Sequence, residues 1–324
     1  MSSGINRRNF IRNSIALTAG GALAAGLSGR KAAADDAPKA APAPADALPL
    51  GKIGKLQVSR MLLGGNLLSH YTHSRDLQYV YALAAHYNTE AKILETLALA
   101  EQHGINTMSM HNPPLPMKLL QQHRKQGGKM QWIICPTANI APDMKDHEFQ
   151  VKELIDQGAD AIYIWGVRSD PLVQQGKVDL IGKAVEVAKK YNVPCGVGCH
   201  DLNVVIQCEK AQVPADFYIK TFHHHRYPSA PKPEQVGGPL SEVPGYWCKD
   251  PKAHIETMKT VEKPWIAFKT MAAGAIQPKD AFRYCFESGA DHILVGMFDF
   301  EIAEDVKIAK AALDGVTRQR PWRS

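Results

Sequence analysis

Residues 216–227, DFYIKTFHHHRY, run from a strand-like alternation into Lys220, Phe222 and three consecutive histidines, His223, His224 and His225. Lysine and histidine in such proximity admit two chemistries. A lysine crowded by a second cation loses its proton and can attack a carbonyl as a Schiff base, while histidines move protons. Histidines joined by a carboxylate can instead hold a divalent metal. Other short apolar runs end the same way: WIAFK in Lys269, CGVGCHD in His200 and Asp201, NTMSMH in His111. The catalytic set expected from these residue types is Lys269 as nucleophile or base, Lys220 and His224 tuning it, and His200 as proton carrier. The metal alternative takes His200 with His223 or His224, completed by His111 or Asp201, and leaves His225 to solvent. Salt bridges from either lysine to Asp201, Asp299 or Glu301 are the competing structural role.

These residues converge only if the elements bring them together. From Leu50 onward, eight apolar runs alternate with amphipathic stretches such as TEAKILETLALAEQHG, in which Ile93, Leu94, Leu97 and Ala100 share one face. The lead-ins EQHGIN, DQGAD and ESGAD end helices on glycine, which adopts the left-handed conformation cheaply. Eight strand–helix units over about 250 residues imply a (β/α)8 TIM barrel in one domain, with its site at the C-terminal ends of the strands. A doubly wound sheet fits less well, because no Gly-rich phosphate loop follows the first strand. Side chains of barrel strands alternate between the interior and the helix layer. Met108 and Met110, and Cys195, Val197 and Cys199, suit the helix layer, which turns Ser109, His111 and His200 toward the mouth. Ile266 and Phe268 are large and also suit the helix layer, which turns Lys269 inward. Lys220 is assigned inward because a lysine under helices would bury its ammonium. Asn66, His111, Trp165, Arg168, Tyr246 and Trp247 are the expected substrate contacts. Residues 228–250, rich in Pro and Gly, and residues 73–88, carrying Tyr79 and Tyr81, are candidate lids.

The net charge of +6 on 324 residues is local. Arg7, Arg8, Arg12, Arg30 and Lys31 lie in an acid-free first 34 residues, leaving 33 basic against 32 acidic residues. No basic stripe of the kind a nucleic-acid binder needs is present. Residues 1–34 combine a charged start containing RRNFIR, an Ala/Gly/Leu stretch and the exit Ala32, Ala33, Ala34, the layout of a cleavable twin-arginine signal. They are too Gly-rich for a stable membrane span. The translocase of that route is then a transient partner, and the mature protein is periplasmic or otherwise extracytoplasmic. Residues 35–49, rich in Ala and Pro, read as a linker, and 50–324 as the barrel. The six cysteines have neither zinc-ribbon nor thioredoxin spacing.

LPLGKIGKLQVSRMLLGGN resembles the opening of aldo/keto reductases, a hairpin before a strand ending Gly-Gly-Asn. VGCHDLNVV, PWIAFKTMAAGAI and HILVGMFDFEIAEDV are similar to that family's fifth, seventh and eighth units, so the likeness runs in order over 48–315. It implies the barrel fold. The family's chemistry uses Asp and Tyr after the second strand, Lys after the third and His after the fourth. Here those strands end MSMHNPP, ICPTAN and IWGVRSD, with Trp165 near the histidine position, so the tetrad is missing. His200 stands near the family's amide-binding Asn and Lys269 near its phosphate-loop Ser. Lysines ending the sixth and seventh strands also resemble the layout of deoxyribose-phosphate aldolases. The expectation is an enzyme acting on a carbonyl or carbohydrate substrate by lysine/histidine chemistry, of lyase, epimerase or aldolase type. Its cofactor is unassigned: a divalent metal would suit the histidines, and NAD(P) is not favoured. An NAD(P)-dependent oxidoreductase with a rearranged proton donor and a non-catalytic carbohydrate-binding barrel are the rivals.

Overall fold

The computed structural model describes residues 47–74, 77–232, 234 and 248–324. The expected signal, the cleavage site, most of the linker, and Tyr246 and Trp247 lie outside the described residues. β1 (Leu50–Ile53) and β2 (Leu56–Ser59) form an antiparallel hairpin. Eight parallel strands then close a barrel. In chain order they are β3 (Met61–Gly64), β4 (Thr107–His111), β5 (Gln131–Cys135), β6 (Ala161–Ile164), β7 (Cys195–Cys199), β8 (Phe217–Thr221), β9 (Trp265–Phe268) and β10 (His292–Val295). Between and after them run α1 (Gln78–Tyr87) and α2 (Glu90–Gln102), α3 (Pro114–Lys125), α4 (Lys145–Asp156), α5 (Gly166–Gln174) and α6 (Val178–Lys189), α7 (Leu202–Lys210), α8 (Pro251–Thr260), α9 (Pro278–Glu287) and α10 (Ile302–Leu313). The (β/α)8 expectation holds. Gly104, Gly158 and Gly289 all have positive φ where the helices hand over to the next strands.

Local chemistry sets the helix starts. Thr89, Asp201 and Asp250 accept backbone N–H groups at the N-termini of α2, α7 and α8, satisfying donors that have no partner within the helix. Among the described residues no helix is long and apolar enough to cross a membrane.

Two apolar layers follow from strand alternation. Leu62, Ile133, Cys135, Ala161, Tyr163, Phe217, Ile219, Ile266 and Leu294 fill the interior, and Ile53, Leu56 and Val58 of the hairpin plug its bottom. Met108, Met110, Cys195, Val197, Cys199, Tyr218, Phe222, Trp265 and Ala267 pack under the helices. β4 and β7 thus have the expected parity, whereas β8 and β9 have the opposite one. The reason is volume. A Cβ at Gly196 would lie 2.4 Å from the Phe217 ring, and one at Gly198 would lie 3.0 Å from the Tyr163 ring. Two glycines on β7 leave interior space that these aromatic rings fill, and once Phe217 points in, Ile219 follows and Lys220 must point out.

Candidate active site

The C-terminal mouth of the barrel holds a cavity of two adjoining lobes. The smaller, about 50 Å³, is bounded by Tyr71, His111, Trp165, Gly166 and His200. The larger, about 270 Å³, is bounded by Ser109, Lys269 to Gly274, Phe298 and Glu301. Asn66, His73, Tyr163, Phe268 and Leu294 line both.

His200 is the best-organised group in the smaller lobe. Its Nδ1 donates to Asp170 Oδ2 at 2.7 Å, and Asp170 also accepts the backbone N–H groups of His200 and Asp201, each at 3.1 Å. The Asp170 side chain is wholly buried. It stands on α5, anchored beside β7 by Ser169, whose hydroxyl donates to Gly198 O. Gly166 makes room for the imidazole, since a Cβ there would lie 2.9 Å from His200 Cε1. Burial lowers the His200 pKa against the raising effect of Asp170, and the positive charges of Lys269 and Lys220 lower it further. The ring is therefore neutral near pH 7, with its proton on Nδ1 and its acceptor lone pair on Nε2.

His111 is likewise kept neutral by burial. It stacks on Trp165 with centroids 6.1 Å apart and planes at 10°, and Tyr71 meets it edge-on. The rim of the smaller lobe is thus a run of three aromatic rings. Lys269 enters the larger lobe by a route that strand alternation does not supply. It follows β9 with φ 56°, and Ala272 and Ala273 have φ 48° and 60°. Left-handed backbone at non-glycine residues costs about 1–3 kcal/mol each and collects at functional sites.

Several expectations are corrected. Lys220 does not reach the mouth. It pairs in register with Cys199 and Ala267, both under the helices, and its ammonium, 1% exposed, donates to Thr221 O at 2.8 Å. Among the described residues Lys220 lines neither lobe of the cavity that Lys269 lines, so the paired-lysine reading is set aside. His224 is also absent from the mouth. Its Nε2 meets Asp280 of α9 at 2.8 Å, and its Nδ1 accepts the Arg226 N–H. His223 is buried beneath the mouth against Lys269 O at 3.0 Å, and burial pushes its pKa down to about 3. His225 is half-buried and bonds Cys248 O. Asp201 caps α7. The triple-histidine loop is therefore a staple between β8, β9 and α9, and the proposed ligand set is not assembled. Among the described residues no group of three His, Cys, Asp or Glu side chains could hold a metal. Arg168 directs its guanidinium to Thr137 O at 2.7 Å and lines neither lobe of the cavity. Asn66, His111, Trp165, His200 and Lys269 do line it. Sequence reasoning missed Asp170, Tyr71, His73 and Tyr163. Only Tyr163 had a signal, the glycine pair on the adjacent strand.

No protein-family model matches the chain, and no curated protein matches its sequence. Solved structures share the fold. A protein described as an aldo-keto reductase from Pseudomonas aeruginosa superposes with TM-score 0.56 at 15% identity, covering 83% of this chain and 98% of its own. Gox0644, solved with NADPH as a single-site variant, gives 0.51 at 10% identity over 82% and 91%. A truncated 3-deoxy-D-arabino-heptulosonate 7-phosphate synthase from Thermotoga maritima gives 0.50 at 12% identity over 84% and 95%. These likenesses establish the barrel, and a reductase and a synthase on one fold leave the chemistry to the site.

Proposed function

We propose that the protein is an enzyme of proton abstraction next to a carbonyl, acting on a small hydroxy-carbonyl or sugar substrate in the manner of an epimerase or lyase. The observation that carries this reading is the buried Asp170–His200 pair on a cavity that Lys269 also lines. Asp170 holds the tautomer in which Nε2 is the base. His200 takes the proton from the carbon beside the carbonyl, and the bond's electron pair moves toward the carbonyl oxygen. The Lys269 ammonium offsets the charge that develops there. The rim of Tyr71, His111 and Trp165 gives a sugar ring apolar faces to lie on.

The test is hydrogen exchange in deuterium oxide with dihydroxyacetone and D-fructose as probes, followed by proton NMR. The purified protein exchanges the carbon-bound hydrogens and His200→Ala does not. Absence of exchange by the unaltered protein, or turnover that depends on a nicotinamide cofactor, contradicts the reading.

We also propose that residues 1–34 direct export by the twin-arginine route and that the mature chain starts near Asp35. The supporting features are Arg7 and Arg8, the acid-free start and the alanine exit. Replacing both arginines by lysine leaves precursor in the cytoplasm, and normal export of that variant counts against the signal.

A further inference from the structure

We infer that Tyr163 is the catalytic acid of the mouth, giving its phenolic proton to the substrate's carbonyl oxygen while His200 removes the proton from the adjacent carbon, and that Ser109 holds the same oxygen. This inference rests on the acid–base reading of the cavity and adds the group that reading lacks.

Three observations carry it. Of the five residues that line both lobes, Tyr163 alone has a hydroxyl, so its phenol stands between the His200 side and the Lys269 side. The ring is held in one place: it occupies the interior space that Gly198 leaves on β7, and its hydroxyl interacts with the Cys135 thiol on β5. Beside it, the Ser109 hydroxyl lines the larger lobe, is 2% exposed and interacts with the Tyr163 hydroxyl, an interaction that acts to lower the phenol's pKa against the effect of burial. Tyr163 and Ser109 therefore present their hydroxyls together on one wall of the larger lobe, where a single substrate oxygen can meet both. Burial raises the Tyr163 pKa well above the ordinary phenol value and pushes Cys135 up to about 12, so both groups keep their protons near neutral pH.

The step balances. The C–H bond breaks and its proton goes to His200 Nε2. Its electron pair forms the C=C bond, and the C=O π pair takes the Tyr163 proton to give an enol. Phenolate and imidazolium remain, and the reverse transfers restore both. No redox partner is needed.

The same exchange assay separates this inference from the reading beneath it. Tyr163→Phe, which keeps the ring in its Gly198 niche, lowers kcat for exchange of dihydroxyacetone by about 100-fold or more while KM stays within about threefold. Ser109→Ala lowers kcat/KM by about tenfold, the loss of one hydrogen bond. Exchange that is lost in His200→Ala but kept at full rate in Tyr163→Phe overturns the role of Tyr163 and leaves the acid–base reading standing. No exchange by the unaltered protein overturns both. If Tyr163→Phe loses the native near-ultraviolet circular dichroism, Ser109→Ala decides, and an unchanged kcat/KM in that variant overturns the shared oxygen site.

Discussion

Replacing Asp170 by Asn tests the organisation of the mouth in stability and in rate at once. The carboxylate accepts from three donors, His200 Nδ1–H and two backbone N–H groups. Asparagine keeps one acceptor oxygen and brings an amide that points hydrogens at donors. One charge-assisted bond is lost, at about 1.5–3 kcal/mol, and a buried donor is left without a partner, at about 1–3 kcal/mol. The expected destabilisation is therefore roughly 3–5 kcal/mol, which lowers Tm by about 10 °C in a domain of this size. The amide can relieve the clash by donating to Nδ1, which moves the histidine proton to Nε2 and removes the base. Carbon–hydrogen exchange should fall by about 1,000-fold or more, the order expected when an orienting carboxylate becomes an amide. Thermal unfolding followed by circular dichroism, with the exchange assay on the folded variant, measures both. A Tm within about 2 °C of the parent together with an undiminished rate would refute the reasoning, since a 1 kcal/mol effect alone moves Tm by about that much.

Three further outcomes follow from the same geometry. Lys269→Met should reduce exchange by about 100-fold or more, whereas Lys220→Met should change it no more than severalfold, because Lys220 lies under the helices; equal losses in both would reinstate a paired-lysine site. Gly196→Ala should cost about 1–3 kcal/mol in urea unfolding, because the added methyl meets the enclosed Phe217 ring; unchanged stability would contradict the interior packing. Burial pushes His223 down to about 3 and His292 to about 4, so in acid the folded state binds fewer protons than the unfolded one, whose histidines titrate near 6.5. Their contribution is fully present above pH 6.5 and is lost as pH falls toward the folded values, by about 2 kcal/mol each between pH 7 and pH 5. A flat stability profile across that interval would argue against both.

The barrel was legible because its signals are local. Alternating apolar runs, glycines at helix ends and a hairpin at the bottom each lie within a few residues. The same holds for β4 and β7, where methionine and cysteine mark the helix layer and send His111 and His200 to the mouth. β8 and β9 were misread because the room for Phe217 comes from Gly196 on another strand, a fact of volume with no local trace. The burial penalty that argued for Lys220 in the mouth is met instead by Thr221 O within the helix layer. Lys269 arrives through left-handed backbone, which periodicity does not register. Asp170 lies thirty residues before His200, inside a helix, and only the closure of α5 against β7 brings the two together.

The central claim is that His200 is a neutral base whose proton sits on Nδ1 under the control of Asp170. Nitrogen NMR of isotope-labelled protein, with His200→Ala for assignment, reads this directly. A protonated, pyrrole-like Nδ1 and an unprotonated, pyridine-like Nε2 are expected at neutral pH, with the pattern inverted in Asp170→Asn. Two protonated nitrogens at neutral pH, or a proton on Nε2 in the unaltered protein, would contradict it.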